Sequence, residues 1–224
     1  MAHGLKLMVF DMAGTTVEDG GQVPAAFNAA LAECDIRISD EQLAGIRGAS
    51  KREAIAELVS KYGSPAWQGR SEAVYASFVR HMEREFNAGV KALPGAEDTF
   101  RYLRSQGVKI ALTTGFDRDI ASLLLDALGW KSIADCFACG DDVPRGRPAP
   151  YLVFRSMEAT GVDSVHDVGT LGDTVLDLQA GFNAGVRLNM GTLSGAHGRS
   201  KMQTQPHTHL LASVADLPAL LQSL

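Results

Sequence analysis

Leu5-Lys6-Leu7-Met8-Val9-Phe10-Asp11-Met12-Ala13-Gly14-Thr15-Thr16 is a short apolar run that ends on an aspartate and then turns through Ala-Gly-Thr. A continuous apolar run closed by a turn signal reads as a buried parallel strand. In open α/β sheets the chemistry gathers at the carboxyl ends of such strands. Asp11 therefore stands where a nucleophile or a metal ligand would stand. Two residues on, the chain has Ala13 rather than a second acid, and that alanine narrows the reaction type.

Working outward from this strand, residues 23–87 carry helical patterning with no strand-like interruption. Amphipathic helices are predicted over 24–34, 51–61 and 71–86, with Pro65 and Gly69 breaking the pattern between them. From Leu93 the chain turns to βα repeats. Helices are predicted over 95–106, 118–128, 150–160, 175–184 and 214–221. Strands are predicted over 108–114, 136–139, 165–171, 186–188 and 209–211. Such alternation implies a parallel sheet with right-handed crossovers. The expected fold is α/β, a doubly wound, Rossmann-like core (residues 1–18 and 90–224) with an α-helical cap (residues 19–89) inserted after the first strand. A cap in that position hangs over the carboxyl edge of the sheet.

Composition fits a globular chain of this kind. Of 224 residues, 46% are hydrophobic and 21% charged, and mean hydropathy is near zero. The formal net charge is −5, and the lack of a basic stripe argues against a nucleic-acid partner. No apolar stretch reaches the ~18 residues of a membrane span. The N-terminus runs straight into the first strand, so no signal peptide is expected. Three cysteines, an odd number, suit a reducing compartment better than a disulfide framework, so a cytoplasmic location is expected.

Four elements converge on the carboxyl edge. Asp11 is the first. The second is the strand ending Thr113-Thr114-Gly115, where alternation lets one threonine face the site; Thr114, nearer the turn, is the expected one. Gly146-Arg147-Pro148 sets a cation in a proline-stiffened loop before a helix. Gly172-Asp173 ends a further strand on an acid, with Asp177 one helical turn on. A lone Asp after a strand is as often a helix cap or turn residue, a lone Arg a solvated charge, and a lone helical Asp an exposed one. Their order on successive βα units is far more specific than any one of them.

In this combination the chain resembles the haloacid dehalogenase superfamily. The resemblance implies that Asp11 attacks phosphorus to form an aspartyl-phosphate and that Thr114 holds a phosphoryl oxygen. It also implies that Arg147 is the basic residue of the site and that Mg²⁺ is bound by Asp11, the Ala13 carbonyl, Asp173 and Asp177. Hard carboxylate oxygens suit Mg²⁺, and a cation beside the phosphoryl group offsets its charge during attack. Amides of Met12, Ala13 and Gly14 are candidates to cradle the same oxygens.

Phosphatases of this superfamily usually carry a second Asp at the position of Ala13, where it protonates the leaving alkoxide. Asp-x-Ala-Gly-Thr instead resembles the phosphonoacetaldehyde hydrolases, or phosphonatases. In that family a cap lysine forms an imine with the substrate aldehyde and so activates the P–C bond. The candidate here is Lys51, in a Ser50-x-x-Glu53 capping box. A helix N-terminus disfavours its charge, and partial burial favours the neutral amine. The same loop, with Arg47, Gly48 and Lys51, also resembles the cap loop of β-phosphoglucomutases and related phosphatases, where a basic residue contacts substrate without forming an imine. Phosphonatases have a histidine three residues after the lysine; here that place holds Ala54. Gly115 and Phe116 are placed to shape a pocket wall.

The expected activity is thus a Mg²⁺-dependent hydrolysis of a small phosphonate aldehyde. A phosphate-ester phosphatase of the phosphoglycolate type is the alternative, with Lys51 and Arg47 as anion contacts, and a catalytically quiet binding protein is the third. The resemblance implies a homodimer through the cap helix at 24–34. Cys136 and Cys139 have the spacing of half a zinc site, but no second pair accompanies them. His207 and His209 lack evident partners and read as turn and strand-start residues. Asp141 and Asp142 precede the Arg147 loop and read either as caps or as acids supporting the site residues from behind.

Overall fold

The computed structural model describes residues 4–46 and 50–224. A six-stranded sheet, every neighbouring pair parallel, is built from β1 (Leu7–Asp11), β2 (Lys109–Thr113), β3 (Cys136–Ala138), β4 (Val168–Gly172), β5 (Leu188–Thr192) and β6 (His209–Leu211) in the order β3-β2-β1-β4-β5-β6. β1 is buried along its whole length because it pairs on both edges, with Asp11 opposite Thr113 and Phe10 opposite Leu171. The strand order reverses between β1 and β4. Asp11 ends one of these strands and Asp173 follows the other, so the two acids flank the switch point where open sheets bind ligands.

The helices between β1 and β2 are α1 (Gln22–Ala32), α2 (Asp40–Gly45), α3 (Lys51–Tyr62), α4 (Ser71–Ala88) and α5 (Ala96–Ser105). In α4 the buried residues Val74, Phe78, Met82 and Phe86 recur every four positions and form one apolar stripe. That stripe meets α1, where the Phe27 and Phe78 rings lie 4.8 Å apart. It also reaches the sheet side, where Phe86 packs edge-on to Phe116 at 6.3 Å. Truncating a buried phenylalanine to alanine costs about 3–5 kcal/mol, so Phe78 is a strong determinant of how the inserted helices pack. The insertion enters and leaves at one place. Glu18 N–H donates to Lys91 O at 2.9 Å, and Leu93 N–H donates to Thr16 O at 2.9 Å.

The remaining helices are α6 (Arg118–Leu128), α7 (Tyr151–Thr160), α8 (Val175–Ala184), α9 (Arg199–Met202) and α10 (Leu217–Ser223). The bounds of α6 and α8 match the patterning of the sequence. The fifth strand does not. It begins at Leu188, where the expected 186–188 would have ended, because Asn189 and Gly191 look like loop residues but are core ones. Asn189 Nδ2 donates to Leu178 O and Pro206 O, both at 2.8 Å, and its Oδ1 accepts from Thr170 Oγ1. A Cβ at Gly191 would stand 2.7 Å from Leu210 Cδ2 and 2.8 Å from Met202 Cε. Helices α2 and α9 are also additions to the expected pattern. The start of α2 is set by a reciprocal pair, Ser39 N–H to Gln42 Oε1 and Gln42 N–H to Ser39 Oγ, a capping box readable as Ser-x-x-Gln.

Among the described residues, no helix is long and apolar enough to cross a membrane. Cys34, Cys136 and Cys139 are free and buried, where they behave as small hydrophobes.

Candidate active site

Asp11, Ala13, Lys51, Thr114, Gly115, Phe116, Arg147, Asp173 and Thr174 line one pocket of about 590 Å³, open mouth included. The insertion also lines it, with Val23, Pro24 and Phe27 from α1, Leu43 and Ile46 from around α2, and Asp19 before α1. Reactive polar groups thus share the pocket with a largely apolar lining contributed by the insertion. Arg47 and Gly48, candidates from the sequence, lie outside the described residues.

Arg147 organises the floor. Its Nη1 donates to Asp11 Oδ1 at 2.6 Å and stands 3.0 Å from Asp177 Oδ1, while Nη2 donates to Thr113 Oγ1 at 2.7 Å. Burial opposes its charge, but the Asp177 and Asp11 carboxylates outweigh burial and raise its pKa. Asp177 sits behind Arg147 rather than in the pocket lining. Its Oδ2 accepts from Thr174 N–H at 3.0 Å and from Thr174 Oγ1 at 2.5 Å, closing a capping box at the start of α8. Thr114 lines the pocket and accepts from Phe116 N–H at 3.1 Å, whereas Thr113 turns the other way, bonds Phe10 O at 3.1 Å and anchors Arg147. Position alone did not reveal that second use of Thr113.

The turn after β1 is tied to itself. Gly14 N–H donates to Val17 O at 2.8 Å, and the Met12 carbonyl accepts from Thr16 and Val17 at 2.9 and 2.8 Å. The Met12 side chain is buried, and its amide favours the charged form of Asp11. Gly14, with its amide committed, contributes space instead of a donor: φ is +85°, and a Cβ there would overlap Asp173 Oδ2. Gly195, in the loop after β5, would overlap the same carboxylate. From that loop Ala196 N–H donates to Asp173 Oδ2 at 2.6 Å, and Ser194 Oγ donates to Gly14 O at 2.9 Å. The run Ser194-Gly195-Ala196 of small residues directly after a strand is the sequence signal for this cradle.

Asp11 and Asp173 are both buried. Burial pushes the Asp11 carboxyl up to about 6, with Arg147 opposing and Asp177 adding to the shift. Asp173 is raised well above the carboxylate range by burial, then by Asp11 and Asp177. Among the described residues no group of three or more His, Cys, Asp or Glu side chains is arranged to hold a metal ion. A pair of mutually repelling buried carboxylates at a strand-end crevice nevertheless fits Mg²⁺, which is commonly held by one or two carboxylates and completes its shell with water and substrate oxygens. Asp11 and Asp173 are the residues that would hold it.

Lys51, the first residue of α3, is buried, and its Nζ lies 5.9 Å from the Phe116 ring centroid. Ser50 is the N-cap, its Oγ accepting from Glu53 N–H at 3.4 Å. Burial lowers the Lys51 pKa to about 8. Asp11 pulls it back up, and Arg147 pushes it further down. Ala54, buried one turn on, adds no polar group.

A carboxylate at the end of a central parallel strand, a buried arginine on it and a second acid across the switch point, beneath inserted helices, define a hydrolase of the haloacid dehalogenase type. The chain belongs to this family: the model for haloacid dehalogenase-like hydrolases matches residues 5–185. It is 29% identical over 197 residues to the phosphonoacetaldehyde hydrolase of Paraburkholderia phytofirmans, covering 83% of this chain and 73% of that protein. It is 32% identical over 196 residues to the phosphonoacetaldehyde hydrolase of Syntrophobacter fumaroxidans, covering 81% and 70%. The fold superposes on a phosphonoacetaldehyde hydrolase-like protein from Oleispira antarctica with a TM-score of 0.83 at 19% identity, covering 99% and 93%.

Proposed function

We propose that the chain is a Mg²⁺-dependent hydrolase that cleaves the P–C bond of a small phosphonate aldehyde of the phosphonoacetaldehyde type. One observation carries the reading. The pocket holding Asp11 has alanine at position 13, where a general acid would sit, and Lys51, its pKa lowered to about 8, lines the same pocket. An ester needs a proton on its leaving oxygen; a carbon leaving group needs an electron sink.

In this mechanism the neutral Lys51 amine adds to the aldehyde carbonyl and loses water to form an imine, which is then protonated. An Asp11 carboxylate oxygen attacks phosphorus as the P–C bond breaks. The bonding pair passes into the protonated imine to give an enamine, so the carbon leaves without a negative charge. Arg147 holds Asp11 in line, and its charge, with the Thr114 hydroxyl, stabilises the phosphoryl oxygens. Mg²⁺ supplies electrostatic neutralisation of those oxygens when it is bound. Water then hydrolyses the aspartyl-phosphate to phosphate, and proton transfer and hydrolysis of the enamine release the free aldehyde and Lys51. Residues 19–89 act as the cap that excludes bulk water and carries Lys51.

Ala54 favours a second reading, because the third residue after Lys51 is not a histidine that could move the protons of imine formation. Here Lys51 is an anion contact and the substrate is a small phosphate ester. Phosphate release with Mg²⁺ from phosphonoacetaldehyde, measured beside phosphoglycolate and an aryl phosphate, separates the two. Release from the phosphonate alone is the expected result. Release from the esters alone overturns P–C cleavage.

A further inference from the structure

The geometry points to the Arg52–Asp117 ion pair as a latch that positions Lys51 by clamping the start of α3 onto the β2–α6 loop. Arg52 is the neighbour of Lys51 but is partly exposed and does not line the pocket. Its Nε donates to Asp117 Oδ2 at 2.7 Å. Its guanidinium lies over the Tyr75 ring at 4.0 Å, and its outer edge bonds Glu72. Both of the latter residues belong to α4, so Arg52 joins two inserted helices to the core through one side chain. Planarity suits it to stacking and forked hydrogen bonding together, which a lysine cannot supply.

Asp117 behaves unlike an ordinary helix-start aspartate. It is the N-cap of α6, yet its side chain makes no capping hydrogen bond, a bond that typically contributes ~1 kcal/mol. Its carboxylate is buried and turned to Arg52 instead. The first amide of α6, Arg118 N–H, is satisfied by Asp141 Oδ1 at 3.0 Å. A residue that gives up the local interaction for which its type is favoured, in order to bridge to another element, marks a site where position outranks local stability.

Two further contacts join the same two segments, and a third ties α4 to the same loop. Lys51 N–H donates to Gly115 O at 3.3 Å, Lys51 Nζ faces the Phe116 ring at 5.9 Å, and Phe86 packs on Phe116 from α4. Residues 115–117 thus meet residues 51–52 at successive positions, and Gly115 and Phe116 themselves line the pocket. When the latch is made, Lys51 is held over the Asp11 pocket; when it is broken, the start of α3 is released from the loop. The catalytic consequence rests on the proposed role of Lys51, but the latch itself does not.

Hydrogen–deuterium exchange at the start of α3, followed by mass spectrometry, tests this without any substrate, because the Lys51 amide is bonded to Gly115 O when the latch is made. R52Q removes the ion pair from the α3 side, and D117N, which is isosteric, removes it from the core side. Each is expected to speed exchange at the start of α3 about tenfold or more relative to α7, the effect of losing one charge-assisted hydrogen bond from the closed state. Because the two act as one unit, the double variant should exchange no faster than the faster single one. Unchanged exchange there in both single variants, equal acceleration in α7, or effects that multiply in the double one, overturns the latch. Faster exchange confined to the start of α3 in a protein that releases no phosphate from phosphonoacetaldehyde supports the latch and removes only the carbonyl role of Lys51.

Discussion

Gly14 and Asp173 share one space: the position a Cβ would take on Gly14 is already filled by the Asp173 carboxylate. The turn after β1 and the end of β4 are therefore built against each other, and the carboxylate is held from behind by the Ala196 amide.

Gly14→Ala tests that fit. The backbone there is left-handed, which costs a non-glycine residue about 1–2 kcal/mol, and the methyl must also displace Asp173. A lower Tm is expected, with phosphate release falling about 100-fold, since an error near 1 Å at a reacting group has that effect. Retained activity would show that Asp173 is not held where the reaction needs it.

The buried carboxylates set an unusual pH dependence of stability. Asp11 titrates near 6 in the folded chain and about 3.9 in an unfolded one. Between those values the folded state binds more protons, so stability falls as pH rises. The metal-free protein should melt at a higher temperature at pH 5 than at pH 7. Mg²⁺ at pH 7 should reverse the order by relieving the repulsion, and its affinity should weaken below pH 6 as protons compete. A metal-free Tm that rises from pH 5 to 7 contradicts the assignment.

Asp173→Asn separates metal binding from folding. Removing one of two repelling buried charges should leave the metal-free Tm unchanged or higher, while the gain in Tm on adding Mg²⁺ disappears. An undiminished Mg²⁺ shift in this variant would move the metal away from Asp173.

Lys51 offers a direct chemical readout. Its pKa near 8 makes roughly a tenth of it neutral at pH 7, against well under a hundredth for an ordinary lysine at about 10.4. Borohydride trapping of a small aldehyde should therefore mark Lys51 ahead of the other lysines, with a rate rising through pH 8 and levelling above it. Lys51→Arg should abolish the adduct. Equal trapping at surface lysines would remove the imine.

Ala13→Asp restores the acid that an ester requires. Its carboxyl enters the pocket, and ester hydrolysis is expected to rise, general acid–base help being typically worth ~10²–10⁴-fold. No gain would show that the missing acid is not what limits ester turnover.

Much of this site was legible because its parts lie at ends of elements. Asp11, Thr114 and Asp173 each close or follow a buried apolar run, and Ser50 announces the helix on which Lys51 sits. What stayed hidden depends on tertiary neighbours. Asn189 and Gly191 look like loop residues until Leu178, Met202 and Leu210 surround them. Thr113 becomes an anchor only once Arg147 arrives from the loop after β3. Asp117 looks like a cap and is an ion-pair partner, a choice that depends on a helix far away in the chain.

The paired crossings of residues 16–18 and 91–93 divide the labour of this molecule along its length. Asp11, Thr114, Arg147 and Asp173, which address phosphorus in the proposed reaction, all belong to the framework outside those crossings. Lys51 and the apolar lining residues, which address carbon in that reaction, arrive on a single detour between two adjacent points. A framework of this kind can acquire a new organic partner by exchanging one stretch of chain, with its phosphorus chemistry left untouched.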